Sequence, residues 1–276
     1  MAGTHDKAAV AGMHGKAALH RVAHRGYSAV APENTLPAFA AGVLSGATFI
    51  EFDVRTTADG VPVVIHDRTV DRTTDGSGKV WELAFDEIAG LDAGSWFSPA
   101  FTGVRVPRLT DALALLHPHA VLADSAGAAG IVPVAAPRVE VLLEIKPPAD
   151  LAQVKNIIGQ VADAGLLDRT VVQSFDPAIV CLVAEAAPDV RRGFLRDAFD
   201  PAQVEVAAEL GVGYCNPSVN AVLGSPETVA ALADAGVAVM PWTANDLTLW
   251  PDLVRAGVAG LITDHTGELT GWARHR

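Results

Sequence analysis

The sequence predicts an α/β fold, a TIM-type (β/α)8 barrel, and three observations carry that prediction. Short β-branched runs alternate with longer Ala- and Leu-rich segments from about Arg21 onward. Such alternation is the mark of a parallel sheet with helical crossovers. The chain's 276 residues match the ~250 of one eight-fold barrel. No second composition regime interrupts the pattern, and no glycine-rich dinucleotide loop supports the alternative of a doubly wound sheet.

Taken in order, strands are expected at residues 21–24, 48–54, 61–66, 139–146, 170–173, 190–195, 212–215, 237–242 and 260–263. Helices are expected at 35–45, 110–116, 151–164, 177–187, 201–210, 226–235 and 247–256. Asp176-Pro177, Asp200-Pro201 and Ser225-Pro226 each set a capping residue before a proline at the first helical position. Gly165 and Gly236 fall just past helical runs, where a left-handed cap wants glycine. Residues 68–108 form a small insertion after the second strand region, an excursion that carries Trp96 and Phe97. Residues 123–137, rich in Ala, Gly and Pro, read as a passive surface loop. Residues 1–20 are expected to be a loose extension, and 21–276 a single domain.

The formal net charge of -12 excludes broad electrostatic binding to nucleic acid or to an anionic membrane. An anionic substrate would need a local positive centre. No apolar run is long and clean enough to span a bilayer, and no run of signal-peptide length leads the sequence; the expected location is cytoplasmic. Cys181 and Cys215 match no metal or redox spacing and are expected to be two small buried side chains.

Chemistry concentrates at strand ends. In Thr48-Phe49-Ile50-Glu51-Phe52-Asp53-Val54 the two acids are two apart, so both face one side of the strand while Ile50, Phe52 and Val54 face the other. Glu144 and Lys146 repeat the device. Buried carboxylates need a counter-charge or a metal. Either each of Glu51, Asp53 and Glu144 finds an Arg or Lys, or together they hold a hard cation such as Mg²⁺ or Ca²⁺. His24 and His66 end strand runs and should meet these acids at the barrel's C-terminal mouth, where active sites sit. One imidazole can take a proton while the other gives one. Arg25 and Lys146 add fixed positive charge, and the whole set suits phosphate-ester chemistry. The remaining histidines, including the His117-Pro118-His119 pair, read as solvated. Phe175 is expected as an apolar wall of the site, and Trp242, Trp96 and Phe97 serve either as further walls or as ordinary core or lid packing. Gln173 either reaches the site or makes a structural hydrogen bond.

His24-Arg25-Gly26, Pro32-Glu33-Asn34-Thr35, Glu51-Phe52-Asp53-Val54, His66-Asp67, Arg72-Thr73-Thr74, Glu144-Ile145-Lys146, Gln173-Ser174-Phe175, Trp242-Thr243 and Thr263-Asp264 occur in the order and spacing of one family. The sequence resembles the glycerophosphodiester phosphodiesterases from Val22 to Leu269. It departs in carrying His265-Thr266 after Asp264, where that family often has proline. The resemblance implies a barrel with an insertion at 68–108, a divalent cation on Glu51, Asp53 and Glu144, and acid–base roles for His24 and His66. It also implies phosphate contacts from Arg25 and Lys146, and hydrolysis of a small-molecule glycerophosphodiester to glycerol 3-phosphate and an alcohol. His24 is the favoured base and His66 the favoured acid; the attacking oxygen is either water or a glycerol hydroxyl. The alternatives are phospholipase-D-like hydrolysis of lysophospholipids and a non-catalytic binding barrel.

Overall fold

The computed structural model describes residues 18–117 and 138–275. The expected surface loop at 123–137, His119 and most of the expected N-terminal extension lie outside the described residues. Among the described residues there are nine strands: β1 His20–Ala23, β2 Phe49–Thr56, β3 Pro62–Val64, β4 Glu140–Ile145, β5 Thr170–Ser174, β6 Arg191–Arg196, β7 Tyr214–Pro217, β8 Ala238–Val239 and β9 Gly260–Thr263. The helices are α1 Leu36–Leu44, α2 Phe85–Ala89, α3 Leu109–Leu116, α4 Leu151–Asp163, α5 Pro177–Ala186, α6 Gln203–Glu209, α7 Val219–Gly224, α8 Pro226–Asp234, α9 Trp250–Arg255 and α10 Thr266–Arg274.

Eight strands run parallel in the order β8-β7-β6-β5-β4-β2-β1-β9. The β8–β9 seam is bridged by Ala259 N–H donating to Val239 C=O at 2.8 Å and Ile262 N–H to Pro241 C=O at 3.0 Å. The result is the expected eight-stranded barrel. The strand expected at 61–66 differs in kind. It contains β3, which pairs antiparallel with β2 in the register Val54 to Val64 and lies off the barrel wall. The polypeptide overshoots the barrel mouth on β2, turns, and comes back down. The excursion that follows closes over its own small core of Val63, Ile65, Val70, Val80, Phe85 and Ile88. It rejoins β3 where Val64 N–H bonds Pro107 C=O at 2.9 Å.

Strand alternation sorts the core into two shells. Outward-facing Ile50, Phe52, Val54, Leu143 and Ile145 pack with Phe39, Leu113 and Ile157 from the helices. Inward-facing Val22, Phe49, Leu142, Val171, Met240 and Ile262 plug the lower barrel. Above that plug the inward positions turn polar, at Glu51, Asp53, Glu144 and Gln173, all at most 4% exposed.

Several helix starts follow the expected chemistry. Asp150 Oδ1 accepts from Gln153 N–H at 2.8 Å while Gln153 Oε1 accepts from Asp150 N–H at 3.0 Å, a reciprocal cap at the head of α4. Asp176 accepts from Ala178 N–H ahead of Pro177. Asp200 likewise accepts from Ala202 N–H, but the turn it caps delays α6 to Gln203. Three helices have no counterpart in the expectations. The first, α2, has only five residues and lies inside the excursion at 68–108. α7 has only six residues, too few to show a period, and α10 is too weakly apolar to stand out. His20, expected in the loose extension, lies in β1 and meets the Phe49 ring edge-on at 5.1 Å. Cys215 is buried as expected, whereas Cys181 is exposed on α5, because its position on that helix turns toward solvent rather than the core. No helix of the described residues is long and apolar enough to cross a membrane.

Phe52 is wholly buried on the strand that also carries both acids. Phe52→Ala should lower the unfolding free energy by ~3–5 kcal/mol, the range for emptying a buried aromatic site, read from the shift in urea midpoint.

Candidate active site

Register builds the polar layer. Asp53 on β2 lies beside Glu144 on β4, and Glu144 beside Gln173 on β5. One oxygen from each of Glu51, Asp53 and Glu144 falls within 4.8 Å of the others. The β1–α1 loop grips two of these acids from above. Arg25 and Asn34 both adopt left-handed backbone, with φ of 55° and 57°, an uncommon state for residues other than glycine that marks functional turns. The bend at Arg25 aims its N–H at Glu51 Oε2, 2.8 Å away. Asn34 Nδ2 donates to Asp53 Oδ2 at 2.7 Å, and Asn34 Oδ1 accepts from Asp53 N–H at 3.2 Å. Gly26 lets the turn close: its φ is +80°, and a Cβ there would sit 2.6 Å from the Ala38 carbonyl carbon.

The cations are unevenly shared. Lys146 Nζ lies 2.6 Å from Glu144 and 3.1 Å from Asp53. Arg25 Nε lies 3.5 Å from Asp53, but its Nη1 is bonded to Glu33 at 2.7 Å. Burial opposes ionisation of Asp53, yet Lys146 and Arg25 hold its carboxyl well below the usual carboxylate range. Glu51 goes the other way: burial, then repulsion by Asp53 and Glu144, raises it well above its ordinary value. Glu144 is pushed up to about 8 by burial and Asp53, with Lys146 only partly opposing. Of the two outcomes open to these acids, Asp53 has found two cations, Glu144 shares Lys146 with it, and Glu51 receives the Arg25 backbone N–H, so three carboxylates share two cationic side chains. An all-oxygen donor set in that condition fits a hard divalent cation.

His24 follows β1, where its N–H donates to Thr263 C=O at 3.1 Å. Its Nδ1 lies 2.6 Å from Asp264 Oδ1, which also accepts from Ser28 Oγ at 2.8 Å, while Asp264 Oδ2 accepts from Asn245 Nδ2 at 2.6 Å. His66 reaches the same cavity by the antiparallel route, with Ile65 N–H donating to Asp53 C=O at 3.0 Å. Its Nδ1 lies 2.7 Å from Asp67 Oδ1. Arg72 clamps Asp67 and Glu33 together through four bonds of 2.7–3.0 Å. Arg55, buried beneath, holds the loop by donating to His66 C=O at 2.9 Å and Pro147 C=O at 2.7 Å. Each histidine is thus backed at Nδ1 by a carboxylate, which holds the proton there and leaves Nε2 as the nitrogen for exchange. Burial lowers the His66 pKa despite the pull of Asp53.

The opposite wall is aromatic and amide. Phe175 and Trp242 meet edge to face at 5.3 Å, and Lys146 Nζ stands 5.9 Å from the Phe175 ring centre. Asn216 Nδ2 donates to Gln173 Oε1 at 2.7 Å, and Trp242 Nε1 donates to the Asn216 backbone carbonyl at 2.9 Å. Ten of the twelve residues singled out in the sequence as site candidates line one cavity, joined by Leu195 and Ile262. Trp96 stands apart, 41% exposed, on a neighbouring cavity that shares His24 and Arg25. Phe97 lines neither cavity and braces Trp96 edge to face at 5.8 Å. Sequence reasoning assigned no role to Asn34, Asp67, Asp264 or Asn216. The first three lie inside the quoted motifs, so a signal existed without a role attached; Asn216 carried none.

The sequence profile described as the Glycerophosphoryl diester phosphodiesterase family matches residues 24–268. A glycerophosphodiester phosphodiesterase of Caldanaerobacter subterraneus is 32% identical over 253 residues, covering 92% of this chain and 97% of that protein. The crystal structure of a glycerophosphodiester phosphodiesterase from Agrobacterium tumefaciens superposes with a TM-score of 0.76 at 30% identity, covering 92% of this chain and 99% of that one. A phosphodiesterase of Oleispira antarctica, solved with the product sn-glycerol-3-phosphate, shares the fold at TM-score 0.76 and 24% identity, covering 93% and 97% of the two chains.

Burial works against ionisation of Asp264, but the bonds to His24, Asn245 and Ser28 bring its carboxyl down to about 2, from an ordinary 3.8. A depressed acid stabilises the fold fully above its unfolded value and loses that contribution as pH falls through its folded value. Asp264→Asn should therefore lose about 1–2 kcal/mol of stability relative to wild type at about pH 6, with the gap closing toward pH 2. Urea unfolding at both pH values checks this; a gap that persists at pH 2 would contradict it.

Proposed function

The chain belongs to the glycerophosphoryl diester phosphodiesterase family, and on that premise we propose that it hydrolyses glycerophosphodiesters to glycerol 3-phosphate and an alcohol, using a divalent cation. The observation that carries this reading is the convergence, in one cavity, of three buried carboxylates with two aspartate-backed histidines. Glu51, Asp53 and Glu144 would hold Mg²⁺ or Ca²⁺, which would supply Lewis-acid charge for phosphate-ester cleavage.

The side chains do the rest. Arg25 and Lys146 offer N–H donors to the phosphoryl oxygens, and their ion pairs with Asp53 and Glu33 hold those donors in place before substrate arrives. His24 takes a proton at Nε2 from the attacking oxygen, which is water or the neighbouring glycerol hydroxyl. Asp264 at Nδ1 stabilises the imidazolium that forms. His66, held by Asp67, delivers a proton to the departing alcohol oxygen as the P–O bond breaks. The hydroxyl route passes through a cyclic phosphate that water then opens. Phe175 and Trp242 form the apolar side of the cavity and exclude water from the glycerol carbons. Neither alternative is favoured: a binding-only barrel would be expected to have lost an acid, a histidine or a cation, and Glu51, Asp53, Glu144, His24, His66, Arg25 and Lys146 all line the cavity.

Removal of divalent metal with a chelator should abolish hydrolysis of glycerophosphocholine, with recovery on adding Mg²⁺ or Ca²⁺; turnover that survives chelation would refute the metal assignment. His66→Ala should reduce turnover by ~10²–10⁴-fold, the usual contribution of a positioned acid or base, with the melting temperature little changed. Retained turnover in that variant would remove His66 from the mechanism.

A further inference from the structure

Asn216 does not line the cavity, yet two of the cavity's walls are tied to it. It lies on β7 and is completely buried. Its side-chain Nδ2 donates to Gln173 Oε1 at 2.7 Å, and its backbone carbonyl accepts from Trp242 Nε1 at 2.9 Å. The first of these bonds spans an entire strand. Gln173 is on β5, and β6 lies between β5 and β7. Gly193 of β6 is the register partner of both Gln173 and Tyr214. A Cβ at Gly193 would sit 3.1 Å from the Cβ of Gln173. The missing side chain opens a lane across β6 through which the two amides meet.

The bond decides which end of Gln173 serves the cavity. With Oε1 taken by Asn216, the group left to face a ligand is the Nε2 amide, a donor of two N–H bonds and an acceptor of none. A donor suits a phosphoryl oxygen or a glycerol hydroxyl. The second bond fixes Trp242, and through it the edge-to-face contact with Phe175. The arrangement also carries a stability cost: among the described residues no hydrogen-bond partner reaches the buried Asn216 Oδ1, and an apolar residue of similar volume would avoid that penalty. A residue that weakens the core while orienting a neighbour at the site fits a positioning role better than a structural one.

We propose that Asn216 is a positioning residue for the glycerol phosphate moiety: its side chain holds Gln173 with the amide N–H groups toward the ligand, while the bond to Trp242, made by the backbone carbonyl, is kept by any residue at this position. This rests on the hydrolytic reading above, and its test separates the two. Asn216→Leu and Asn216→Ala are compared with wild type for kcat and KM on glycerophosphocholine with Mg²⁺, for thermal unfolding, and for sn-glycerol 3-phosphate binding by calorimetry. The expected result for Asn216→Leu is a KM and a glycerol 3-phosphate Kd raised roughly ten-fold, kcat within about three-fold, and unchanged or raised stability. Gln173→Ala should match it, and the double variant should be no worse than either single one, because the two residues act through one bond. Asn216→Ala serves if the leucine cannot be packed. Unchanged KM and Kd, or single effects that add in the double variant, would overturn the proposal, as would a wild-type protein that binds no glycerol 3-phosphate. A wild-type protein that binds glycerol 3-phosphate but hydrolyses no diester would instead overturn the hydrolytic reading, with the positioning role still measured by Kd.

Discussion

Desolvated negative charge is the constraint on which the site depends. Three carboxylates stand in the barrel on an apolar plug of Val22, Phe49, Leu142, Val171, Met240 and Ile262. Ionised groups in such a place must be compensated or neutralised. Asp53 is compensated by Lys146 and Arg25, and Glu51 and Glu144 are left with raised pKa values. The barrel therefore holds an unmet demand for positive charge at one point. On the proposed reading, this resolves the conflict between a net charge of -12 and an anionic phosphodiester: attraction would come from the cation those acids gather, not from the protein's overall field.

Around that point the loops act as clamps rather than as coverings. The left-handed turns at Arg25 and Asn34 bring backbone and amide donors onto Glu51 and Asp53. The excursion returns Asp67 and Arg72 to the same rim, so a continuous ionic path runs His66–Asp67–Arg72–Glu33–Arg25–Asp53. Because neighbours in such a path share partners, their energetic contributions are not separable one residue at a time.

Much of this is legible in the sequence, for identifiable reasons. The period of two in Phe49–Thr56 and Glu140–Ile145 sorts acids from core residues without any tertiary knowledge. What periodicity cannot report is pairing direction, and so β3 is indistinguishable in sequence from one more barrel strand. Nor can it report distant partners: His24 and Asp264 are 240 residues apart, and Gln173 and Asn216 are 43 apart. Arg55 sits in the strand that carries Glu51 and Asp53, yet its duty is to two backbone carbonyls, which leave no trace in residue type.

The antiparallel return of β3 divides the machinery mechanically. His24 and the three acids rise from the barrel wall, whereas His66 hangs from a hairpin of three residue pairs seated on a satellite core of its own. The two imidazoles are thus carried by different elements, one by the barrel wall and one by a return strand that also borders the core of the excursion, so remodelling of residues 68–108 changes the footing of His66 without altering a single strand of the barrel.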